Sequence, residues 1–294
     1  MLYLTFPIVK RFQTGQQIEF NYFENQIKNR KNCEVLKIEP CYLYSIYGNN
    51  GMGKTTLMNI ISSLTGYQGH IRKINNTIII EAVSGRSVDK QHQSMIRAND
   101  FSFIFQDPHL INFYTLEENL KLVNPNFDYL VDIKKLKSEV NSLNLEEEYK
   151  NPILKKLDKF IYEKDNTPYY LSGGEKQLMS FIRAMIKPSN VIFADEPWAS
   201  MDQYMKSFIE SQFYNFIIDK DIFASIRNRN ADLNNNKIVI VISHPVHHDV
   251  QISFGIQDND WSKTIKVSSS IFDENKSNVL LTLERYKRRD EKYN

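Results

Sequence analysis

The chain has 294 residues, 41% of them hydrophobic and 24% charged, with a net charge of +2. That composition supports a packed core, argues against disorder as the default state, and is too nearly neutral to point to nucleic acid. Two cysteines, Cys33 and Cys41, make no disulfide framework and fit a reducing compartment.

The opening stretch MLYLTFPIVKRFQTG has an apolar run too short for a signal peptide. No window approaches the roughly 18 uncharged apolar residues of a membrane helix. A soluble protein is expected, with any membrane part supplied by another chain. Buried strands are expected at Leu2–Val9, Tyr42–Tyr47, Thr77–Glu81, Phe101–Phe105, Val191–Ala194 and Lys237–Ser243. Most are continuous apolar runs, the pattern of strands covered on both faces in a parallel sheet. Helical patterns at Lys54–Thr65, Asp132–Leu145, Gly174–Ile186 and Gln203–Ile218 alternate with them, so the class is α/β. Thr115 to Leu171 breaks the rhythm with Leu-, Lys- and Glu-rich helical segments and predicts an inserted helical subdomain. The Asn-rich stretch Ile222 to Asn236 reads as a surface loop. In the tail, Ile252–Ile256, Thr264–Ser268 and Val279–Leu283 can add strands, and the basic run Glu284 to Arg289 is either a solvated end or a surface for headgroups or a partner.

After the apolar run Tyr42–Tyr47 comes Gly48-Asn49-Asn50-Gly51-Met52-Gly53-Lys54-Thr55-Thr56, matching G-x-x-x-x-G-K-[ST] at the start of a helix. Glycines let the backbone curl so that successive amides face one anion, and the helix start adds partial positive charge. Lys54 is placed to reach β- and γ-phosphates and the Thr55 hydroxyl to ligate Mg²⁺, so the stretch predicts nucleotide binding. An ordinary Gly-rich turn is the plainer alternative, which the order strand, loop, Lys-Thr, helix disfavours. Asp195, after Val191-Ile192-Phe193-Ala194, emerges at the carboxyl end of a strand, where α/β sheets place ligands. Asp195 is expected to serve the metal and Glu196 to polarise water. Leu171-Ser172-Gly173-Gly174-Glu175 precedes a helix. It can be a second anion nest, a capping box of Ser172 and Glu175, or both.

From about Lys37 to His244 the sequence resembles the ATP-binding cassette (ABC) ATPases, whose signature is LSGGQ-like. The resemblance implies a phosphate-loop NTPase of ABC type: a mostly parallel sheet core, an inserted helical subdomain and an N-terminal antiparallel β part. The nucleotide-binding domain is expected over residues 1–245, with the helical subdomain at about 107–171 and an extension of uncertain role at 246–294. The resemblance further implies ATP and Mg²⁺ as cofactors. Gln106 matches the glutamine that meets the metal and attacking water, Asp202 in Ala199-Ser200-Met201-Asp202 the D-loop aspartate, and His244 the histidine that contacts the γ-phosphate. Metal ligands are then Thr55, Gln106 and Asp195, and catalytic groups Glu196, His244 and Gln106. Ser172, Gly173, Gly174 and Glu175 would face the nucleotide of a second cassette, in a head-to-tail homodimer or, alternatively, a heterodimer.

Several positions depart from the family pattern. Leu178 stands where an arginine is usual, Trp198 where a small residue is usual, and Pro40-Cys41 before the loop strand where Gly-Glu is usual. Phe20, Tyr22 and Phe23 compete for the aromatic that stacks on adenine. His247 and His248 read as solvated residues in preference to a zinc site. The resemblance implies separate transmembrane permease subunits as partners and a place at the cytoplasmic face of the membrane. ADEP at Ala194–Pro197, FIFQ at Phe103–Gln106 and TLEENL at Thr115–Leu120 lean toward the lipoprotein-release and macrolide-export branch. The alternative is a soluble ABC ATPase acting on nucleic acid or the ribosome. It is disfavoured because the chain has no sustained heptads and carries a single cassette.

Overall fold

The computed structural model describes residues 2–5, 8–11, 13–14, 17–23, 35–65, 69–74, 77–82, 90–227, 237–242, 262–273 and 276–285. In chain order the elements are β1 (Leu2–Thr5), β2 (Ile8–Arg11), β3 (Gln17–Phe23), β4 (Val35–Ile38), β5 (Tyr42–Tyr47), α1 (Lys54–Ile61), β6 (Gly69–Ile74) and β7 (Thr77–Ala82). Then follow α2 (Lys90–Asp100), β8 (Phe101–Ile104), α3 (Leu116–Lys121), α4 (Tyr129–Ser142), α5 (Glu147–Tyr162), α6 (Gly173–Ile186) and β9 (Val191–Asp195). The chain closes with α7 (Gln203–Ile217), α8 (Ala224–Arg227), β10 (Ile238–Ile242), β11 (Ser262–Asp273) and β12 (Lys276–Arg285).

Two compact units divide the chain. The first comprises Met1–Ser94, Ile242–Val246 and Asp258–Asn294, the second Met95–Val241 and His247–Gln257. In the first, β4-β1-β7-β6 form one sheet and β2-β3-β12-β11-β5 run side by side. The β1–β4, β6–β7 and β2–β3 pairs are antiparallel, whereas β11 runs parallel to β5 and β12 parallel to β3. The expected strand at Leu2–Val9 is thus two short strands in different sheets. Two of the possible tail strands lie inside β11 and β12, which form a long antiparallel pair; Ile252–Ile256 lies outside the described residues. In β5, Leu43 to Ile46 are all buried, as a strand covered on both faces requires.

The second unit carries β10-β9-β8 in that order. Every residue of β9 and β10 is buried, and β8 and β9 are parallel, Phe101 opposite Val191 and Ile104 opposite Ala194. Phe101 and Phe193 meet edge to face with centroids 5.0 Å apart. No strand interrupts residues 105–190, which hold α3 to α6. Local chemistry sets these helix starts. Thr115 and Glu118 form a capping box on α3, and Asp128 caps α4 by accepting from the Val131 amide at 3.2 Å. α5 continues through Pro152, whose ring removes one helical hydrogen bond. Ile153, Leu157 and Phe160, spaced for one helical face, are buried. Phe181 of α6 packs against Phe208 and Phe213 of α7 and against Phe223, at 5.6 to 6.3 Å. This aromatic cluster anchors both helices whose first turns carry functional motifs.

Candidate functional site

In the first unit, the loop after β5 turns through Gly51 (φ 79°) and Gly53 (φ 84°) before α1 begins. Only glycine adopts those angles without strain. A Cβ on Gly51 would meet nothing within 4 Å, so backbone conformation, not space, demands glycine there. Gly53 is the N-cap and makes no side-chain cap hydrogen bond, and no acidic residue occupies the first turn of α1. The positive end of the helix is thus left to whatever anion approaches it. The Lys54 ammonium donates to the carbonyls of Gly48 at 2.8 Å and Asn49 at 3.0 Å, arching back over the loop. Asn49, Asn50, Gly51 and Thr55 are exposed, and Met52, Gly53, Lys54 and Thr56 half-buried.

In the second unit, Asp195 is the last residue of β9 and is buried, with 9% exposure. Glu196 follows with φ 43°, a left-handed conformation that costs a residue with a Cβ free energy. The Ala199 amide donates to the Glu196 carbonyl at 3.1 Å, closing the turn that holds this conformation. Gln106, just beyond β8, donates through Nε2 to Glu196 Oε2 at 3.2 Å. The structure therefore joins two residues 90 positions apart, and the amide oxygen of Gln106 remains an acceptor for a cation.

The signature stretch is a complete capping box. Ser172 Oγ accepts from the Glu175 amide at 3.4 Å, and Glu175 Oε2 accepts from the Ser172 amide at 2.8 Å. Lys159 of α5 donates to the same carboxylate oxygen at 2.7 Å. Burial pushes the Glu175 carboxyl up, but Lys159 and the Ser172 hydrogen bonds together hold it below its ordinary value. Sequence reasoning missed Lys159, which lies 16 residues from its partner on another helix and carries no local signal. A Cβ on Gly174 would stand 3.1 Å from the Ser200 carbonyl oxygen, so the signature abuts the D-loop closely enough to favour glycine. Asp202 caps α7, its Oδ1 accepting from the Met205 amide at 2.8 Å.

Thr55 of the first unit offers a hydroxyl, and Gln106 and Asp195 of the second offer an amide oxygen and a carboxylate; each is a hard oxygen donor of the kind Mg²⁺ takes. Among the described residues no group of three or more His, Cys, Asp or Glu could hold a metal by itself. His244, His247 and His248 lie outside the described residues. Of the adenine candidates, Phe20 is fully buried in β3, which leaves its ring no face for a base, and the side chains of Tyr22 and Phe23 lie outside the description.

A buried strand leading through a left-handed glycine loop into a helix, with an acidic pair closing another buried strand, defines a phosphate-loop α/β nucleotide-binding protein. The ABC transporter family profile matches residues 34–199, more than half of the chain. Among curated relatives, the macrolide export ATP-binding/permease protein MacB of Mannheimia succiniciproducens is 31% identical over 281 residues, 90% of this chain and 40% of that protein. The bacitracin export ATP-binding protein BceA of Halalkalibacterium halodurans is 32% identical over 168 residues, 57% of this chain and 58% of that protein. The ATP-binding protein HrtA of Staphylococcus aureus is 34% identical over 197 residues, 66% of this chain and 75% of that protein. The dimeric structure of MJ0796, a bacterial ABC transporter cassette, aligns at TM-score 0.49 and 19% identity, covering 89% of this chain and 94% of that one. The chain belongs to the ABC transporter family, and it spans between about two fifths and three fifths of the first two relatives' lengths. No helix among the described residues is long and apolar enough to cross a membrane.

Proposed function

We propose that this chain is the ATP-binding and ATP-hydrolysing subunit of an ABC transporter, with its nucleotide-binding domain over residues 1–245. It pairs head-to-tail with a second cassette, its own copy or a different one, and drives separate transmembrane permease subunits from the cytoplasmic face of the membrane. The observation that carries the hydrolytic part is the Gln106–Glu196 hydrogen bond beside the buried Asp195. It orients a carboxylate, held by its turn in a left-handed conformation, next to the residue best placed to ligate metal. The transport part rests on family membership and on relatives whose names join ATP binding to a permease or to export.

Phosphoryl transfer needs positioning and charge neutralisation more than covalent help. Lys54 and the loop amides of Gly51 to Thr55 bind the phosphates. By the family resemblance Thr55, Gln106 and Asp195 would be the ligands of Mg²⁺, which would supply charge neutralisation. Glu196 orients the attacking water and accepts its proton, Gln106 fixes the direction of that carboxylate, and His244 contacts the γ-phosphate. Ser172, the glycines and Glu175 take the γ-phosphate of the partner cassette's nucleotide, and Asp202 lies at the contact between cassettes.

Glu196→Gln is the decisive test. It should leave ATP binding intact, lower the turnover number by about 10²- to 10⁴-fold, the usual worth of a general base, and trap an ATP-dependent dimer on size exclusion. Unchanged turnover would remove Glu196 from its role. The same variant, purified from its native cells with ATP in mild detergent, should carry a stoichiometric multi-helix membrane protein. Recovery of ribosomal components or nucleic acid instead would overturn the transport assignment.

A further inference from the structure

The helix that begins with the signature also grips the segment that carries Gln106. Gln177 of α6 is buried, with 1% exposure, and donates through Nε2 to the Phe105 carbonyl at 3.1 Å. Two turns further along, Arg183 donates through Nη1 to the His109 carbonyl at 3.0 Å and through Nη2 to the Pro108 carbonyl at 3.2 Å. Three of the five carbonyls between Phe105 and His109 are thus tied to one helix, on both sides of Gln106. Residues past the end of a strand have no ladder to hold them, and their carbonyls need other donors when water is excluded. His109 sits at φ 46°, so the segment bends sharply where Arg183 holds it. The Phe105 ring packs edge to face on His109 at 4.8 Å, making the bend compact. Gln177 is placed at a cost, since its Oε1 is buried and finds no hydrogen-bond partner among the described residues. An apolar side chain of equal volume would avoid that cost, so the donor is kept for the carbonyl it holds.

We propose that Gln177 and Arg183 are positioning residues that clamp the segment 105–109 to the signature helix and thereby aim Gln106 at Glu196. The inference rests on the reading of Gln106 and Glu196 as hydrolytic groups. One rigid helix then carries the signature at its start and holds the Gln106 segment along its length, so any displacement of α6 is passed to the Glu196 carboxylate.

The test is a double-mutant cycle on the full chain, reading steady-state ATP hydrolysis, ATP affinity and thermal midpoint. Gln177→Met keeps volume and removes the donor. A displaced Gln106 should lower kcat by about ten- to a hundredfold, with KM for ATP changed less than about twofold. The thermal midpoint should move by no more than about 3 °C. In a Gln106→Ala background the same substitution should cost less than about twofold more, because the group it positions is gone. Arg183→Lys, which can still reach one carbonyl, should lose less kcat than Arg183→Met. Losses that multiply independently in the cycle would overturn the clamp, showing that Gln177 serves packing alone. An unchanged kcat in Gln177→Met, with a reduced one in Gln106→Ala, would overturn the clamp and leave the hydrolytic reading standing. If Gln106→Ala itself left turnover unchanged, the hydrolytic role of Gln106 would fall first and the clamp with it.

Discussion

Two glycine-rich turns lead into helices in this chain, and they end up in opposite states. The loop before α1 has no side-chain cap at Gly53 and no acidic residue in the helix's first turn. The signature before α6 is capped twice by its own residues, and its carboxylate is further held by Lys159. Both are anion nests by pattern, yet one has no side-chain acceptor at its helix start, its Met52 amide turning to the Asn49 carbonyl, while the other already supplies its own acceptors. The loop can therefore receive phosphate with little rearrangement. The signature must share its Ser172 hydroxyl or loosen Glu175 before it can serve a second nucleotide. That difference suits a primary binding element and a conditional one.

The largest effect should come from the open turn. Lys54→Ala removes the cation that arches over it and should abolish measurable ATP binding by calorimetry, leaving the thermal midpoint without ligand nearly unchanged. Tight binding in that variant would break the comparison at its root. A substitution away from both turns serves as a control. Burial pushes the Glu210 carboxyl in α7 up from 4.5 to about 7, with Lys206 opposing the shift. Between those values the folded chain holds a proton on Glu210 that the unfolded chain has released, so the contribution of this group to stability is highest below about 4.5 and falls until about 7. Glu210→Gln should flatten that fall and, at pH 8, raise stability by up to about 3 kcal/mol, while ATP binding stays as it was. A denaturation series against pH would show it, and an unaltered slope would refute it.

Ser172→Ala sharpens the comparison directly. Loss of the cap should cost about 1 kcal/mol in urea unfolding. ATP binding should survive, because Lys54 and its loop are intact, while turnover in the dimer falls. If binding fell as far as with Lys54→Ala, the signature would be part of the primary site after all. The smallest effect belongs to Lys159→Met. It frees Glu175 from its ion pair and should change stability by no more than a few tenths of a kcal/mol, as partly exposed pairs do. It should nevertheless raise the Glu175 carboxyl toward its ordinary range, a change that NMR titration can follow.

Much of this arrangement is written locally. Tyr42–Tyr47 is a strand in both readings to the residue, α6 and α7 start within a residue of expectation, and Asp195 closes its strand as its apolar run implies. Other parts were not legible. The helix Lys90–Asp100 is mostly polar, with Met95, Ile96 and Ala98 as its apolar residues and Ile96 buried, too few to stand out in the sequence. α5 falls within the helical segments expected of Thr115 to Leu171, and it runs through Pro152 because Ile153, Leu157 and Phe160 fill the core beneath it. β3 contains Phe20, Tyr22 and Phe23, which the family resemblance offered as candidates to stack on adenine. Its place as a strand depends on β12, some 260 positions away, with Phe20 opposite Val279.

The sequence by itself determined the loop from Gly48 to Thr56, the strand before it, the acidic pair and the capping box, because each is specified by neighbours within a turn or a strand. Only the tertiary structure decided that Gln106 would meet Glu196, that Lys159 would hold Glu175, and that α6 would grip the segment from Phe105 to His109. Those partners are separated by 16 to 90 positions. A hydrogen bond across such a distance depends on how whole helices and strands pack, and packing is a collective outcome of many buried side chains that no short stretch encodes.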